Sequence, residues 1–270
     1  MNVAIQGKIG SFHAEAAKQW FGDDVQLLEC ASFSEVFHMA DTGTADIIVT
    51  AVENTIYGSI NEVYQLIDEL GWPIVGEIKL PIEHQLIALP NAERDTITKV
   101  YSHPVALAQC RHTIEKLLPH AEMVEYFDTA GAVEFVLDSN NPSFAAIASR
   151  GAAALYNLPI LEKNVHDAEH NATRFLVLTN NHEQLPSEPN RASMVLVTNH
   201  EPGALVQALT VFADAGINLV KLQSQPIVGA PWQYKFFIVA DCDTSQLNET
   251  IATVRSAGHE LKLLGHYHAA

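Results

Sequence analysis

The chain is poor in cysteine, in long apolar runs and in positive charge, and each shortage removes a class of function. Three cysteines in 270 residues, Cys30, Cys110 and Cys242, are widely spaced and odd in number, and no Cys-x-x-Cys pair occurs. That excludes a disulfide-stapled framework and a cysteine zinc or redox centre, and it fits reduced thiols in a cytoplasm. No apolar run approaches the ~18 residues a membrane helix needs, so no membrane partner is expected. The start, Met1-Asn2-Val3-Ala4-Ile5, has neither a basic n-region nor a long apolar h-region, and no secretory leader is expected. Fifteen Lys and Arg stand against thirty-two Asp and Glu, a net charge of −17. Such a field repels phosphates and excludes nucleic acid as a partner. An anion must then be bound by local devices: a helix N-terminus, hydroxyls or one well-placed arginine. His-Glu-x-x-His, Ser-x-x-Lys, Gly-x-Ser-x-Gly, Gly-x-Gly-x-x-Gly and a Walker lysine are all missing, so neither a metal nor a nucleotide site is expected.

What is present is an alternation of strand-like and helix-like stretches. Residues 2–6 read as a strand running into Gly7-Lys8-Ile9-Gly10-Ser11 and then a helix with Ala16, Ala17 and Trp20 on its apolar side. Ser32 and Glu35 have the spacing of a capping box that opens a helix ending near Gly43. The continuous apolar run 46–52 reads as a buried parallel strand, and it ends in Glu53-Asn54-Thr55. Val63, Leu66, Ile67 and Leu70 mark one face of a helix. Residues 77–89 look extended. Strand 100–102 leads into a helix opened by His103-Pro104 and carrying Gln109. Strands over 123–126 and 144–148 and helices from Thr129 and over 149–156 continue the pattern. Residues 1–180 therefore form an α/β domain with mainly parallel sheets. Residues 181–191, rich in Asn, Glu, Pro and Ser, read as a linker. Residues 192–270 follow as strands 193–198, 218–226, 234–240 and 261–266 with helices 202–216 and 246–257. That order, βαββαβ, is ferredoxin-like, and with no catalytic cluster in it the module suggests binding, regulation or assembly.

The chemistry gathers at element ends. Asn171-Ala172-Thr173-Arg174-Phe175 heads the apolar run 175–178. Successive strand side chains face opposite ways, so Thr173 and Arg174 cannot both point into a core. Glu53, Asn54, Thr55, Ser102, Gln109, Asn171, Thr173 and Arg174 make a largely neutral hydrogen-bonding set. It suits a polar, anionic organic molecule, with Arg174 the natural bidentate partner of a carboxylate. Taken singly, each neutral member reads first as a cap or turn residue. His166 and His170 bracket Asp167 and Glu169 at a spacing open to a metal, but with no third ligand nearby they read as solvated side chains. Cys110 reads as packing.

Several segments in order resemble prephenate dehydratases of the monofunctional bacterial type over nearly the whole chain. They are Gly7-Lys8-Ile9-Gly10-Ser11-Phe12, Glu53-Asn54-Thr55-Ile56-Tyr57-Gly58 and Gly76-Glu77-Ile78-Lys79-Leu80-Pro81-Ile82-Glu83-His84. Ser102-His103-Pro104-Val105-Ala106-Leu107-Ala108-Gln109-Cys110 and Asn171-Ala172-Thr173-Arg174-Phe175 complete the set. The resemblance implies a two-lobed catalytic domain like a type 2 periplasmic binding protein, followed by an ACT regulatory domain. It implies a lyase that converts prephenate to phenylpyruvate, water and carbon dioxide in phenylalanine biosynthesis, without a cofactor. Thr173 would carry the central role, with Glu53 or His103 as rival proton sources. Asn54, Thr55, Ser102, Gln109, Asn171, Arg174 and Phe175 would bind substrate. Phenylalanine would act as allosteric effector on a homodimer or homotetramer, through Gly203, Ala204, Leu205 and Val206 and through Gln223, Ser224, Gln225 and Pro226. The last four stand where the family has Glu-Ser-Arg-Pro, so both charges of that motif are replaced here. Arogenate dehydration and non-catalytic amino-acid sensing are the alternatives.

Overall fold

The computed structural model describes residues 1–181 and 186–270, so part of the expected linker, residues 182–185, lies outside the described residues. The chain is mixed α/β and divides into two compact units. One is Met1–Ile60 with Lys79–Phe175; the other is Asn61–Ile78 with Leu176–Ala270.

The first unit contains two α/β halves. In the first half, β1 (Asn2–Gln6) pairs in parallel with β2 (Gln26–Cys30) and β3 (Ile47–Asn54), and β4 (Gly58–Ser59) folds back on β3. Helices α1 (Phe12–Phe21) and α2 (Phe33–Asp41) connect these strands. The Ser11 hydroxyl caps α1 by accepting from Ala14 N–H. Ala16 and Ala17 face the core as expected, together with His13 and Ala14, but Trp20 in the last turn is exposed. Ser32 caps α2 by accepting from Glu35 N–H, and Glu35 in turn accepts from Ala31 N–H rather than from Ser32.

The second half is a five-stranded sheet of order β10-β6-β9-β7-β8, made of β6 (Gln85–Ala88), β7 (Lys99–Ser102), β8 (Glu122–Glu125), β9 (Phe144–Ala148) and β10 (Ile160–Glu162). β7 is parallel to β8 and β9, whereas β6 runs antiparallel to β9 and β10. Each sheet thus has a three-stranded parallel centre with antiparallel additions, a more mixed architecture than the sequence pattern implied. β4 follows β3 through a short turn, a connection that needs no crossover helix, whereas β10 is reached from β9 through the helix Arg150–Leu155 and pairs with β6. Helices α4 (Pro104–Leu117), α5 (Thr129–Ser139) and α6 (Arg150–Leu155) cover the sheet, with apolar clusters on both faces centred on Val100, Ile114 and Ile147 and on Tyr101, Val133 and Ala146. Two more strands complete the first sheet, β5 (Ile74–Pro81) and β11 (Ala172–Thr179), in the order β2-β1-β3-β11-β5.

The second unit carries the predicted βαββαβ order: β12 (Arg191–Val197), α7 (Ala204–Asp214), β13 (Asn218–Pro226), β14 (Tyr234–Asp241), α8 (Thr244–Ser256) and β15 (Glu260–Tyr267). Its sheet, β13-β14-β12-β15, packs one face on α7 and α8 through Met194, Phe212, Ile238 and Val254. The other face meets α3 (Asn61–Leu70), where Tyr64 packs on Phe237 and Asp68 pairs with both Lys235 and Lys262 at 2.7 Å. β12 starts at Arg191, inside the expected linker, because that guanidinium binds Glu77 at 2.8 Å and Asp241 at 2.7 Å. α8 starts at Thr244, earlier than its apolar periodicity suggests, because Asp243 and Gln246 form a full capping box.

Candidate active site

Strand alternation and the β3–β11 junction together sort the polar residues into two groups. Thr55 N–H at the end of β3 donates to the Ala172 carbonyl at the start of β11 at 2.9 Å, which fixes how the two strands meet. Consecutive residues on each strand then point to opposite faces. On one face Asn54 meets Thr173: Asn54 Nδ2 donates to Thr173 Oγ1 at 3.0 Å and to Asn171 Oδ1 at 2.8 Å. On the other, Glu53 meets Arg174 in an ion pair at 3.0 Å. The sequence places Glu53 beside Asn54 and Arg174 beside Thr173, and the sheet separates each pair of neighbours.

The Asn54 face extends into the second half of the unit. Pro104 near the start of α4 and the His103 side chain, which accepts from Val105 N–H, set the helix origin, and Gln109 projects one and a half turns later. Gln109 Oε1 accepts from Asn171 Nδ2 at 3.1 Å, and Gln109 Nε2 donates to Asn54 Oδ1 at 3.3 Å. Asn54, Gln109, Asn171 and Thr173 are all buried. Buried amides and hydroxyls require partners, and these supply each other. Asn54 Oδ1 also accepts from Ile56 N–H and Tyr57 N–H, both at 2.9 Å, an Asx turn that shapes the loop to Gly58. Thr55 ties that loop down by accepting from Ala172 N–H and donating to the His170 carbonyl.

Other expected residues lie elsewhere. Ser102 is fully buried and donates to the Ile147 carbonyl at 2.6 Å, so it ties neighbouring strands together instead of presenting its hydroxyl to a ligand. Phe175 is a core residue whose ring meets His13 edge-on at 5.1 Å. Asp167 accepts from His112 N–H and Thr113 N–H of α4; burial alone would raise its pKa, but these bonds and the charge of His112 bring it below the usual carboxylate range. Among the described residues no group of three or more His, Cys, Asp or Glu is arranged to hold a metal. Cys110 is buried in the second-half core, which pushes its thiol up, as does Asp167.

Two histidines that no local pattern singles out stand behind this cluster. His84 Nε2 lies 2.8 Å from Gln109 Oε1, and the ring packs edge-on against Phe12 at 5.4 Å. Burial pushes the His84 imidazole down to about 4, against the opposing effect of the Gln109 bond. His13 Nε2 accepts from Ala51 N–H at 3.2 Å, and burial pushes it down to about 3. Both are neutral at pH 7.

The two halves of the unit also touch through Ser149, which donates to the Gly10 carbonyl at 2.7 Å, through Gly151 N–H donating to Glu15, and through an ion pair of Lys8 and Glu134. Gly10 has φ +98° and its Cα faces Ala152 so closely that an added Cβ would sit 3.1 Å from that backbone, so a side chain is excluded there. Beside these contacts opens a cleft of about 530 Å³ lined by Phe12, Glu15, Pro81, Glu83, Arg150, Gly151 and Ala154, within the size range of small-molecule sites. A smaller pocket of about 190 Å³ lies in the second unit at the start of α7, lined in part by Asn199, Gly203, Leu205, Val206 and Tyr234.

A family model described as prephenate dehydratase matches residues 3–183. The chain is 35% identical over 269 residues to the bifunctional chorismate mutase/prephenate dehydratase of Aquifex aeolicus (strain VF5), covering 99% of this chain and 73% of that protein. The solved structure of the prephenate dehydratase of Arthrobacter aurescens in complex with L-Phe is similar at TM-score 0.90 and 27% identity, over 100% of this chain and 90% of that one. GqqA, described as a novel type of quorum-quenching acylase, is similar at TM-score 0.89 and 31% identity, over 100% of this chain and 98% of that one.

Proposed function

The chain belongs to the prephenate dehydratase family, and from that premise we propose that it converts prephenate to phenylpyruvate at the Asn54–Gln109–Asn171–Thr173 cluster. The reaction breaks the ring C–carboxylate bond, whose electron pair aromatises the ring and expels the hydroxyl at the opposite carbon. Carbon dioxide leaves, one proton is taken up, and the hydroxyl departs as water. Aromatisation supplies the driving force, so the protein has to hold the dianion and stabilise charge as it develops on the leaving oxygen. Thr173 does the second. A threonine hydroxyl has a pKa far from neutrality, so its part is to donate a hydrogen bond to the departing oxygen while the net proton comes from water.

The observation that carries this reading is the bond from Asn54 Nδ2 to Thr173 Oγ1. It uses the lone pair of the hydroxyl and leaves the proton to be given to a ligand. Glu53, expected beside Thr173, faces the other way and serves by holding Arg174.

Likeness to GqqA supports a second reading, hydrolysis of an acylated substrate. Acyl transfer needs a nucleophile beside a general base. Thr173 Oγ1 instead receives an amide N–H, Ser102 is bonded to the Ile147 carbonyl and Ser149 to the Gly10 carbonyl. This geometry disfavours it.

The C-terminal module is, in this reading, an ACT-type sensor for phenylalanine in a homo-oligomer. Its pocket at Gly203, Leu205 and Val206 and its edge strand β13, which carries Gln223, Ser224, Gln225 and Pro226, support that role. All three cysteines are unpaired, which supports a cytoplasmic setting. Ultraviolet detection of phenylpyruvate from prephenate, beside parallel assays with arogenate and an acylated substrate, tests the activity. Isothermal titration with phenylalanine tests the module. Turnover of prephenate alone and heat with phenylalanine are expected; hydrolysis of the acylated substrate alone overturns the dehydratase reading, and absence of turnover with a phenylalanine signal makes the protein a sensor.

A further inference from the structure

Two backbone groups determine the direction of every hydrogen bond in the buried cluster. Ile56 N–H and Tyr57 N–H can only donate, so the Asn54 side-chain atom they meet is the oxygen. Asn54 Nδ2 therefore faces Thr173 and Asn171, and Asn171 meets it with its oxygen. The Asn171 amide N–H₂ is then turned to Gln109, which must present Oε1 to it and Nε2 to Asn54. Gln109 Oε1 has a second neighbour, His84 Nε2, at 2.8 Å. Two lone pairs at that distance would repel, so His84 carries its proton on Nε2. Reversing Asn54 would set donor against donor at Ile56 and Tyr57, reversing Asn171 would do so at Asn54 Nδ2, and reversing Gln109 would do so at Asn171 Nδ2.

We propose that His84 is a positioning residue for the dehydration: with its proton on Nε2 it anchors a one-way hydrogen-bond chain through Gln109 and Asn54 that leaves the Thr173 hydroxyl proton for the departing oxygen. The inference rests on the dehydratase reading. His84 is 2% exposed, its Nδ1 has no hydrogen-bond partner, and Phe12 covers the ring edge-on. Such a site holds a neutral imidazole in one orientation and gives Nδ1 no competing partner. His84 touches no reacting atom; it acts through Gln109, whose carboxamide would otherwise be fixed by Asn171 and Asn54 alone.

The test has two arms on the full-length protein. Nitrogen-15 NMR of histidine-labelled protein at pH 7 reads the tautomer without any substrate: a protonated Nε2 and an unprotonated Nδ1 are expected for His84, and the opposite tautomer or an imidazolium overturns the chain. Kinetics read the consequence. His84→Phe, which keeps a ring but donates nothing, lowers kcat about 10- to 100-fold with KM little changed, the loss expected when a reacting group is misplaced. His84→Gln, whose amide N–H can reach Gln109, recovers most of kcat. Wild-type kcat in the phenylalanine variant, or equal losses in both variants, overturns the proposal; if the phenylalanine variant does not fold, the glutamine variant and the tautomer decide it. Wild-type protein that turns over no prephenate overturns the dehydratase reading itself, while the NMR arm still judges the hydrogen-bond chain.

Discussion

Asn54 and Thr173, 119 residues apart in the chain, meet at 3.0 Å with the amide donating and the hydroxyl accepting. The direction of that bond matters more than its length. A hydroxyl that accepts from the protein keeps its proton for a ligand; one that donates to the protein does not.

Asn54→Asp reverses the direction. A carboxylate only accepts, so Thr173 would turn its proton inward, and the aspartate would also set an acceptor against Asn171 Oδ1 while Gln109 Nε2 could still donate to it. kcat for prephenate is expected to fall roughly 100-fold, the usual cost of losing one preorganised donor. Steady-state kinetics on a variant with native circular dichroism check it, and an unchanged kcat contradicts it.

His13 and His84 make the fold acid-sensitive. Burial lowers His84 to about 4 and His13 to about 3 from an ordinary value of 6.5, so the unfolded chain takes up protons that the folded chain refuses. Their contribution is complete above pH 6.5 and is lost as pH falls toward the folded values. Between pH 7 and pH 5 each accounts for a loss of about 2 kcal/mol. Denaturant unfolding at the two pH values should show His84→Gln losing about 2 kcal/mol less than wild type over that interval. Equal losses would place the acid sensitivity elsewhere.

Arg191 and Glu77 form a buried ion pair in the second unit, with side chains 12% and 0% exposed. Arg191→Met removes the cation from beside a carboxylate whose side chain is 0% exposed, at an expected cost of about 3–5 kcal/mol. Adding Glu77→Gln should recover much of it, because the buried negative charge is then gone. Urea unfolding of the single and double variants checks this; a single variant as stable as wild type would mean the pair contributes little.

Much of the architecture was legible because it is written in local periodicity. The apolar run that became β3, the helix opened by His103-Pro104 and the βαββαβ order of the C-terminal module all follow from patterns of two and 3.6 residues. Thr173 and Asn54 were legible as polar residues at strand ends. What was not legible depends on partners distant in sequence. Trp20 has the right spacing for a core stripe, yet it lies exposed in the last turn, beyond the buried His13, Ala14, Ala16 and Ala17. Arg191 sits in a linker-like stretch, and its partners Glu77 and Asp241 decide that it begins a strand. Glu53 and Asn54 look like a working pair until the neighbouring strand shows that they face opposite ways. His84 follows Pro81-Ile82-Glu83 without any local sign that it is buried behind Gln109.

Turnover of prephenate by Thr173→Val and Thr173→Ser beside wild type is the most direct measurement of the central claim. Valine keeps the shape and removes the hydroxyl, and serine keeps the hydroxyl. Wild type should form phenylpyruvate, the valine variant should lose about 100- to 1,000-fold in kcat, and the serine variant should retain most of it. A valine variant with near-normal turnover would contradict the account.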